Sequence, residues 1–280
     1  MNHVKHLLLI LLFTSCAQVP TPSQRTDQAD HLASRSNWHQ ALIETDDFTL
    51  LTYQPEMPAK AEILTIYIEG DGLAWINSST PSTNPTPIAP LALKLALRDT
   101  VPSVYLARPC QFITQDSQRN CSKKYWTSHR FALEVIKSSS QAIDQLKQQF
   151  GSTKLILVGY SGGGAVAALV ATQRHDVIRL ITIAGNLDPR TWVAEHHLSP
   201  LSGSLNPADV WQQLQHIPQT HYVGGKDKTI GESVTRAYAA RFPEESAPEV
   251  VVIPDFDHHC CWVERWPSLK NEVSDKRQSQ

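Results

Sequence analysis

The residue types needed to attack a carbonyl are present in this chain, far apart along it. Ser161 lies in Val158-Gly159-Tyr160-Ser161-Gly162-Gly163-Gly164, Asp227 closes Gly224-Gly225-Lys226-Asp227, and Asp257-His258-His259-Cys260-Cys261-Trp262 stands near the carboxyl end. A serine hydroxyl is a weak nucleophile until a neighbouring base takes its proton. The base is usually a histidine oriented by a carboxylate. The spacing Gly159-x-Ser161-x-Gly163 is that of a serine held on a sharp strand-to-helix turn. A turn so tight strains the serine backbone, and a Cβ two residues to either side would collide with it. The first amide of the following helix, that of Gly162, is then free to bind an oxyanion.

The same residues admit other chemistry. Gly162 to Ala167 also fits G-x-G-x-x-A, a dinucleotide fingerprint, but that needs an acidic residue closing the next strand. The next apolar run, 178–184, ends in Gly185-Asn186 with Asp188 just beyond, a poor fit. His258, His259, Cys260 and Cys261 could be read as metal ligands. Adjacent ligands suit tetrahedral zinc badly, and no second paired cluster exists, so no metal is assigned. Asp227 alone could be a turn-capping residue, and Asp188, Asp255 and Asp257 are the other acids near strand ends.

The elements that must position these groups follow from hydrophobic patterning. Residues 155–158 form a short bulky run, as in a strand buried on both faces of a parallel sheet, and 165–171 read as a buried helix. Further strands are expected at 48–53, 63–68, 104–107, 178–184, 220–223 and 249–253. Helices are expected at 91–98, 130–150 and 233–242, with a short one after Trp262. Apolar positions at Leu133, Ile136, Ile143 and Leu146 mark one long helix, loosened at Ser138-Ser139-Ser140, with Gly151 placed to end it. Residues 186–218, with Trp192 and Trp211, are too long for a bare connection and are expected to form a small cap. Alternation of strands and helices predicts an α/β domain with a mainly parallel sheet and helices on both faces. In such sheets chemistry collects at the carboxyl ends of the strands. Gly70 and Asp71, Ser161, Asp227 and the two histidines all fall there.

The chain has 280 residues, enough for one such domain with a sizeable core, and a formal net charge of −2, which argues against a nucleic-acid partner. The first 16 residues stand apart. Lys5 with His3 and His6 precedes a short apolar run, 7–13, too brief to span a bilayer as a mature helix. Phe13-Thr14-Ser15-Cys16 resembles a bacterial lipoprotein signal, in which Cys16 would be lipidated and become the first mature residue. Ala17 after it favours, by the same resemblance, the outer membrane and a periplasm-facing domain. Residues 17–36, rich in Pro, Ser, Thr and Gln, read as a flexible tether. The folded domain is expected over 37–270, with 271–280 a polar tail. Without Cys16 an even number of cysteines is left: Cys110, Cys121, Cys260 and Cys261. In an oxidising compartment these suggest two disulfides, with three possible pairings. Cys110–Cys121, closing a polar loop, is preferred, which leaves Cys260 and Cys261 as a vicinal pair or free thiols.

The order Ser161, Asp227, His258 is similar to the Ser…Asp…His order of the α/β-hydrolases. VGYSGGG resembles their elbow, HYVGGKD their acid loop, and the last strand with DHHCCW their histidine loop, so the likeness spans about residues 48–266. The resemblance implies an eight-stranded type of sheet and hydrolysis of esters, thioesters or amides through an acyl-enzyme, without a cofactor. It implies Ser161 as nucleophile, His258 rather than His259 as base, and Asp227 as the acid, with Asp188 the runner-up. By position it gives the backbone amides of Gly162 and Asp71 as the oxyanion donors, with Glu69-Gly70 standing where the family often has His-Gly. The stretch ARPCQ…C…YW, together with SLNP, also resembles a group of exported bacterial lipoprotein hydrolases that carries no known substrate. The expected partner is therefore a small-molecule or lipid acyl substrate, met at a membrane surface. The alternatives are a peptidase of the same fold and a non-catalytic envelope-binding lipoprotein.

Overall fold

The computed structural model describes residues 19–114 and 117–275, with side chains through Lys270. The leader and Cys16 lie outside the described residues. Eight strands form one sheet: β1 (Trp38–Glu44), β2 (Thr49–Pro55), β3 (Ile63–Ile68), β4 (Ser103–Leu106), β5 (Lys154–Tyr160), β6 (Val177–Ile183), β7 (Gln219–Gly224) and β8 (Glu249–Ile253). Their spatial order is β1-β2-β4-β3-β5-β6-β7-β8. β2 runs antiparallel to both β1 and β4, and every other pairing is parallel. The expected mainly parallel sheet is present, and β5, which delivers Ser161, lies inside it between β3 and β6.

Side chains alternate across the sheet, so each strand feeds two cores. Leu64, Ile66 and Ile68 of β3 and Leu155 and Leu157 of β5 face α3 (Leu133–Phe150) and α4 (Gly162–Ala171). Tyr67, Ile156, Val158 and Tyr160 face the opposite core, shared with α1 (Pro22–Ser34), α2 (Leu91–Ala96) and α7 (Trp262–Asp275). Helices thus cover both faces. The remaining helices, α5 (Pro189–Glu195) and α6 (Glu232–Ala239), follow β6 and β7. The long helix begins at Leu133 and continues through the three serines. Ser138 and Ser139 are buried, and Ser139 Oγ donates to Val135 O at 2.8 Å, which satisfies the hydroxyl without breaking the helix. Gly151 ends it in the left-handed conformation, φ 62°.

Three expectations are corrected. Residues 22–34 are not a flexible tether but helix α1, opened by a capping box in which Thr21 and Gln24 bond each other's amides. Its Ala29 and Ala33 are fully buried, Tyr53 Oη donates to Asp30 at 2.7 Å, and Arg25 donates to Thr86 O. Small residues on one helix face allowed this close packing, and composition alone did not reveal that face. Second, β1 precedes the first expected strand and pairs with β2 through seven residues. Third, α7 runs to Asp275, into what reads as a polar tail. It is seated by Trp266, whose indole donates to Tyr67 Oη at 2.8 Å, and by Tyr222 Oη, which donates to Leu269 O at 2.7 Å. In the cap segment α5 and two 3-10 turns, Pro207–Asp209 and Trp211–Gln213, replace a bare connection. Both cysteine pairs are joined, Cys110 to Cys121 and Cys260 to Cys261.

Deleting residues 19–35 should lower Tm, because it uncovers Tyr53 and the apolar wall beneath Ala29 and Ala33. A loss of about 5 °C or more is expected for a domain of this size. Thermal unfolding of the truncated and longer proteins checks it; equal Tm values would restore the tether.

Candidate active site

β5 ends at Tyr160 and α4 begins at Gly162, so Ser161 alone makes the turn. Its backbone sits at φ 52°, ψ −123°, a conformation that L-residues rarely hold. The flanking glycines are dictated by space. A Cβ on Gly159 would lie 2.3 Å from Gly163 O, and one on Gly163 would lie 2.3 Å from Ile68 O. The turn is tied to its neighbours by Ser161 N–H donating to Ile183 O at 3.0 Å and by Asn186 N–H donating to Ser161 O at 3.0 Å.

The structure brings Ser161, His258 and Asp227 together. Ser161 Oγ is 3.1 Å from His258 Nε2, and His258 Nδ1 is 2.8 Å from Asp227 Oδ2. All three residues are buried. Asp227 Oδ1 accepts the amides of Thr229 at 2.7 Å and Ile230 at 2.9 Å. A carboxylate only accepts, so the Nδ1 proton belongs on the Asp227 side, which leaves Nε2 able to accept from the serine. His259 turns away and pairs with Tyr160 Oη at 3.0 Å through Nδ1. Burial, then the neighbouring His258, lowers its pKa.

The other acids have structural work. Asp188 caps α5, accepting from the amides of Arg190 and Thr191 and from Asn206 Nδ2 at 2.9 Å. Asp255 pairs with Lys226, and Asp257 accepts the amides of His259 and Cys260 and so shapes the histidine loop. With Cys260 and Cys261 bonded to each other and the two imidazoles directed to different partners, the HHCC run does not converge. The dinucleotide reading also loses its space: a Cβ on Gly162 would lie 2.2 Å from Asp71 Oδ1, so a side chain already occupies the front of the α4 terminus.

The loop after β3 runs beside the start of α4. Gly70 N–H donates to Glu69 Oε1 at 2.9 Å, Gly70 O accepts from Gln111 Nε2 at 2.9 Å, and Leu73 N–H donates to Pro85 O at 3.1 Å. The Asp71 carboxylate is held by Arg108 Nη1 at 3.2 Å and Arg130 Nη1 at 2.6 Å. Burial alone would raise this carboxyl, but Arg130 and Arg108 outweigh it and hold it below the usual carboxylate range. Glu69, also buried, goes the other way: loss of hydration pushes it up to about 7 against the amides that favour its charged form. Glu69, Gln111, Arg108 and Arg130 are residues for which the sequence suggested no role. Two of them stand in the ARPCQ run, whose resemblance was visible without its meaning.

These groups open on a cavity of about 800 Å³ whose wall includes Asp71, Trp75, Arg130, Trp192, His258 and the Cys260–Cys261 pair. A separate cavity of about 660 Å³ lies between α5, the end of α4 and the 200–213 segment; none of Ser161, Asp227 or His258 lines it.

Neither a protein-family model nor a curated protein sequence matches the chain. Solved structures do. Est1E from Butyrivibrio proteoclasticus is similar with a TM-score of 0.58 at 14% identity, over 86% of this chain and 99% of that one. The Pyrococcus furiosus esterase Pf2001 matches with a TM-score of 0.58 at 13% identity, over 85% and 90%. XC6422 from Xanthomonas campestris, described as an α/β serine hydrolase without lid, matches with a TM-score of 0.54 at 14% identity, over 85% and 94%. The chain has the α/β-hydrolase fold.

The Glu69 carboxyl makes stability depend on pH with a definite sign. A group titrating from 4.5 when unfolded to about 7 when folded binds more protons in the native state between those values. Native stability therefore falls as pH rises from about 4.5 to 7, and the loss is complete above that. Glu69→Gln keeps an acceptor for Gly70 N–H and removes the ionisation. Relative to wild type its stability should rise by up to about 3 kcal/mol between pH 4.5 and 8. Urea unfolding at the two pH values checks this, and a difference independent of pH would refute it.

Proposed function

We propose that this protein is a serine hydrolase that cleaves ester bonds through an acyl-enzyme, held at the bacterial envelope by a lipidated Cys16. The observation that carries the reading is the continuous relay from Ser161 Oγ through His258 to Asp227, at 3.1 and 2.8 Å, at the floor of an open cavity.

In this reading Ser161 Oγ attacks the acyl carbonyl as its proton passes to His258 Nε2. Asp227 fixes the imidazole and stabilises its protonated form. The carbonyl oxygen gains negative charge and is met by the amides of Gly162 and Asp71. Gly162 is the first residue of α4, so its N–H has no intrahelical acceptor. The carbonyl re-forms as His258 protonates the departing alcohol. Water, activated by the same histidine, then attacks the acyl-serine and releases the acid. Apart from substrate and water, every step in this reading uses groups on this chain. Trp75, Trp192 and Leu73 give the cavity wall apolar surface suited to an acyl or alcohol group. The name of Est1E and the description of Pf2001 as an esterase favour ester over amide cleavage as the first chemistry to assay.

Ser161→Ala should fold as wild type yet lose hydrolysis of p-nitrophenyl acetate by about 10⁴-fold or more. A fluorophosphonate probe should add one label, at Ser161, to the wild type only. Undiminished turnover, or no label on the wild type, would favour the non-catalytic binding reading.

The anchor is tested apart from the chemistry. Expressed with its leader in a Gram-negative host, the protein should fractionate with the outer membrane and carry the mass of a triacylated Cys16. Cys16→Ala should release it from the membrane; unchanged fractionation would remove the anchor.

A further inference from the structure

The groups around Asp71 are bound more tightly than an amide donor alone requires. Arg108 and Arg130 both pair with the one Asp71 carboxylate, and the arginine side chains are only 5% exposed. Arg108 also donates to Arg130 O, and Arg130 Nε donates to Thr127 O at 2.8 Å. The Arg130 guanidinium lies 5.5 Å from the centre of the Trp192 ring. Two guanidinium groups against one carboxylate leave one positive charge without a partner within the trio. Glu69, the other buried acid on this loop, accepts Gly70 N–H through Oε1. Unpaired buried charge is costly unless something meets it.

Position suggests what meets it. The Asp71 carboxylate lies against Gly162, close enough that a Cβ there would come within 2.2 Å of Oδ1. Asp71, Arg130 and Ser161 line the same cavity. The trio thus stands beside both proposed oxyanion amides. Because Glu69 and Gln111 hold the Gly70 peptide from both sides, clamping the Asp71 side chain leaves its amide little freedom to turn.

We propose that Arg130, with Arg108, forms an oxyanion-support site. The clamp on Asp71 fixes the second amide donor, and the surplus guanidinium charge stabilises the anionic tetrahedral intermediate formed on Ser161. Arg130 acts through Asp71 and through its field, as a positioning residue. The inference rests on the serine-hydrolase reading and deepens it. Preorganised charge placed where charge develops stabilises the transition state more than the ground state. The effect therefore belongs in kcat.

The test compares wild type, Arg130→Met and Arg130→Lys with p-nitrophenyl acetate and with phenylboronic acid. The boronic acid accepts Ser161 Oγ at boron while the hydroxyl proton passes to His258, giving a tetrahedral boronate anion with no leaving group. Arg130→Met should lower kcat by 10- to 100-fold with KM changed less than threefold, and should weaken boronic acid binding by a similar factor. Arg130→Lys keeps the charge but loses the planar fork; it should lose at least fivefold in kcat with Tm near wild type. A smaller loss in either folded variant, or a loss carried wholly by KM, overturns the inference. If Arg130→Met does not fold, the fivefold criterion for Arg130→Lys decides. A wild type that fluorophosphonate does not label overturns the hydrolase reading and this inference with it. A labelled wild type with unaffected variants overturns the inference alone.

Discussion

The arrangement depends on one contact between backbones, where α4 crosses the end of β3. Gly163 approaches Ile68 O and Glu69 O so closely that no side chain fits, and Gly159 approaches Gly163 O in the same way. Those two approaches hold Ser161 at φ 52°. The conformation costs of order 1–3 kcal/mol, and it persists because the surrounding sheet and helix allow no other path. The same contact sets Gly162 beside the 69–72 loop, so one packing event places both the Ser161 hydroxyl and the start of α4 against Asp71. A strained residue with a buried hydrogen-bond partner on each side is a rigid platform, and in the proposed reaction such rigidity would keep the hydroxyl aimed at a carbonyl.

His258 and Asp227 are held by a second set of close approaches at the far edge of the site. Lys226 N–H donates to Phe256 O and Gly225 N–H to Ile253 O, both at 2.8 Å, which stitches the loop after β7 to the loop after β8. A Cβ on Gly224 would lie 2.6 Å from Phe256 O, so this seam also requires glycine. Asp227 and His258 therefore move as one unit, and α7 fixes that unit to the sheet through Trp262 and Trp266. Trp262 Nε1 donates to Asp257 O at 2.9 Å, one residue before His258. The hydrogen bonds of the relay follow from main-chain contacts, not from freely placed side chains.

Much of this was legible in the sequence because it is local. The apolar runs marked the central strands, the glycines marked the turn, and the chemistry-bearing residues fell just past strand ends. Which of the two histidines faces Ser161 is visible only in space, where His258 reaches Ser161 Oγ and Tyr160 holds the His259 ring. Helix α1 was missed because a Pro/Ser/Thr/Gln-rich segment has no apolar stripe. Its packing uses two alanines and the buried stem of Arg25. The Asp71 clamp was missed for a different reason. Its members come from the loop after β3, the segment after β4 and the entry to α3, and no spacing along the chain brings three such places together.

The Cys110–Cys121 bridge gains a physical purpose from that geometry. Arg108 and Gln111 flank Cys110, and one holds the Asp71 carboxylate while the other holds Gly70 O. Both stand on irregular backbone, where no ladder of hydrogen bonds fixes a side chain. Cys110 itself is buried with φ 73°, a conformation costly for a non-glycine residue. A covalent tie across eleven residues limits how far this segment can relax from that conformation. In an oxidising compartment the bridge would hold two loop side chains at distances that a parallel sheet cannot impose from below. One stretch of chain thus carries Arg108, Cys110 and Gln111, and with them the contacts to Asp71 and Gly70.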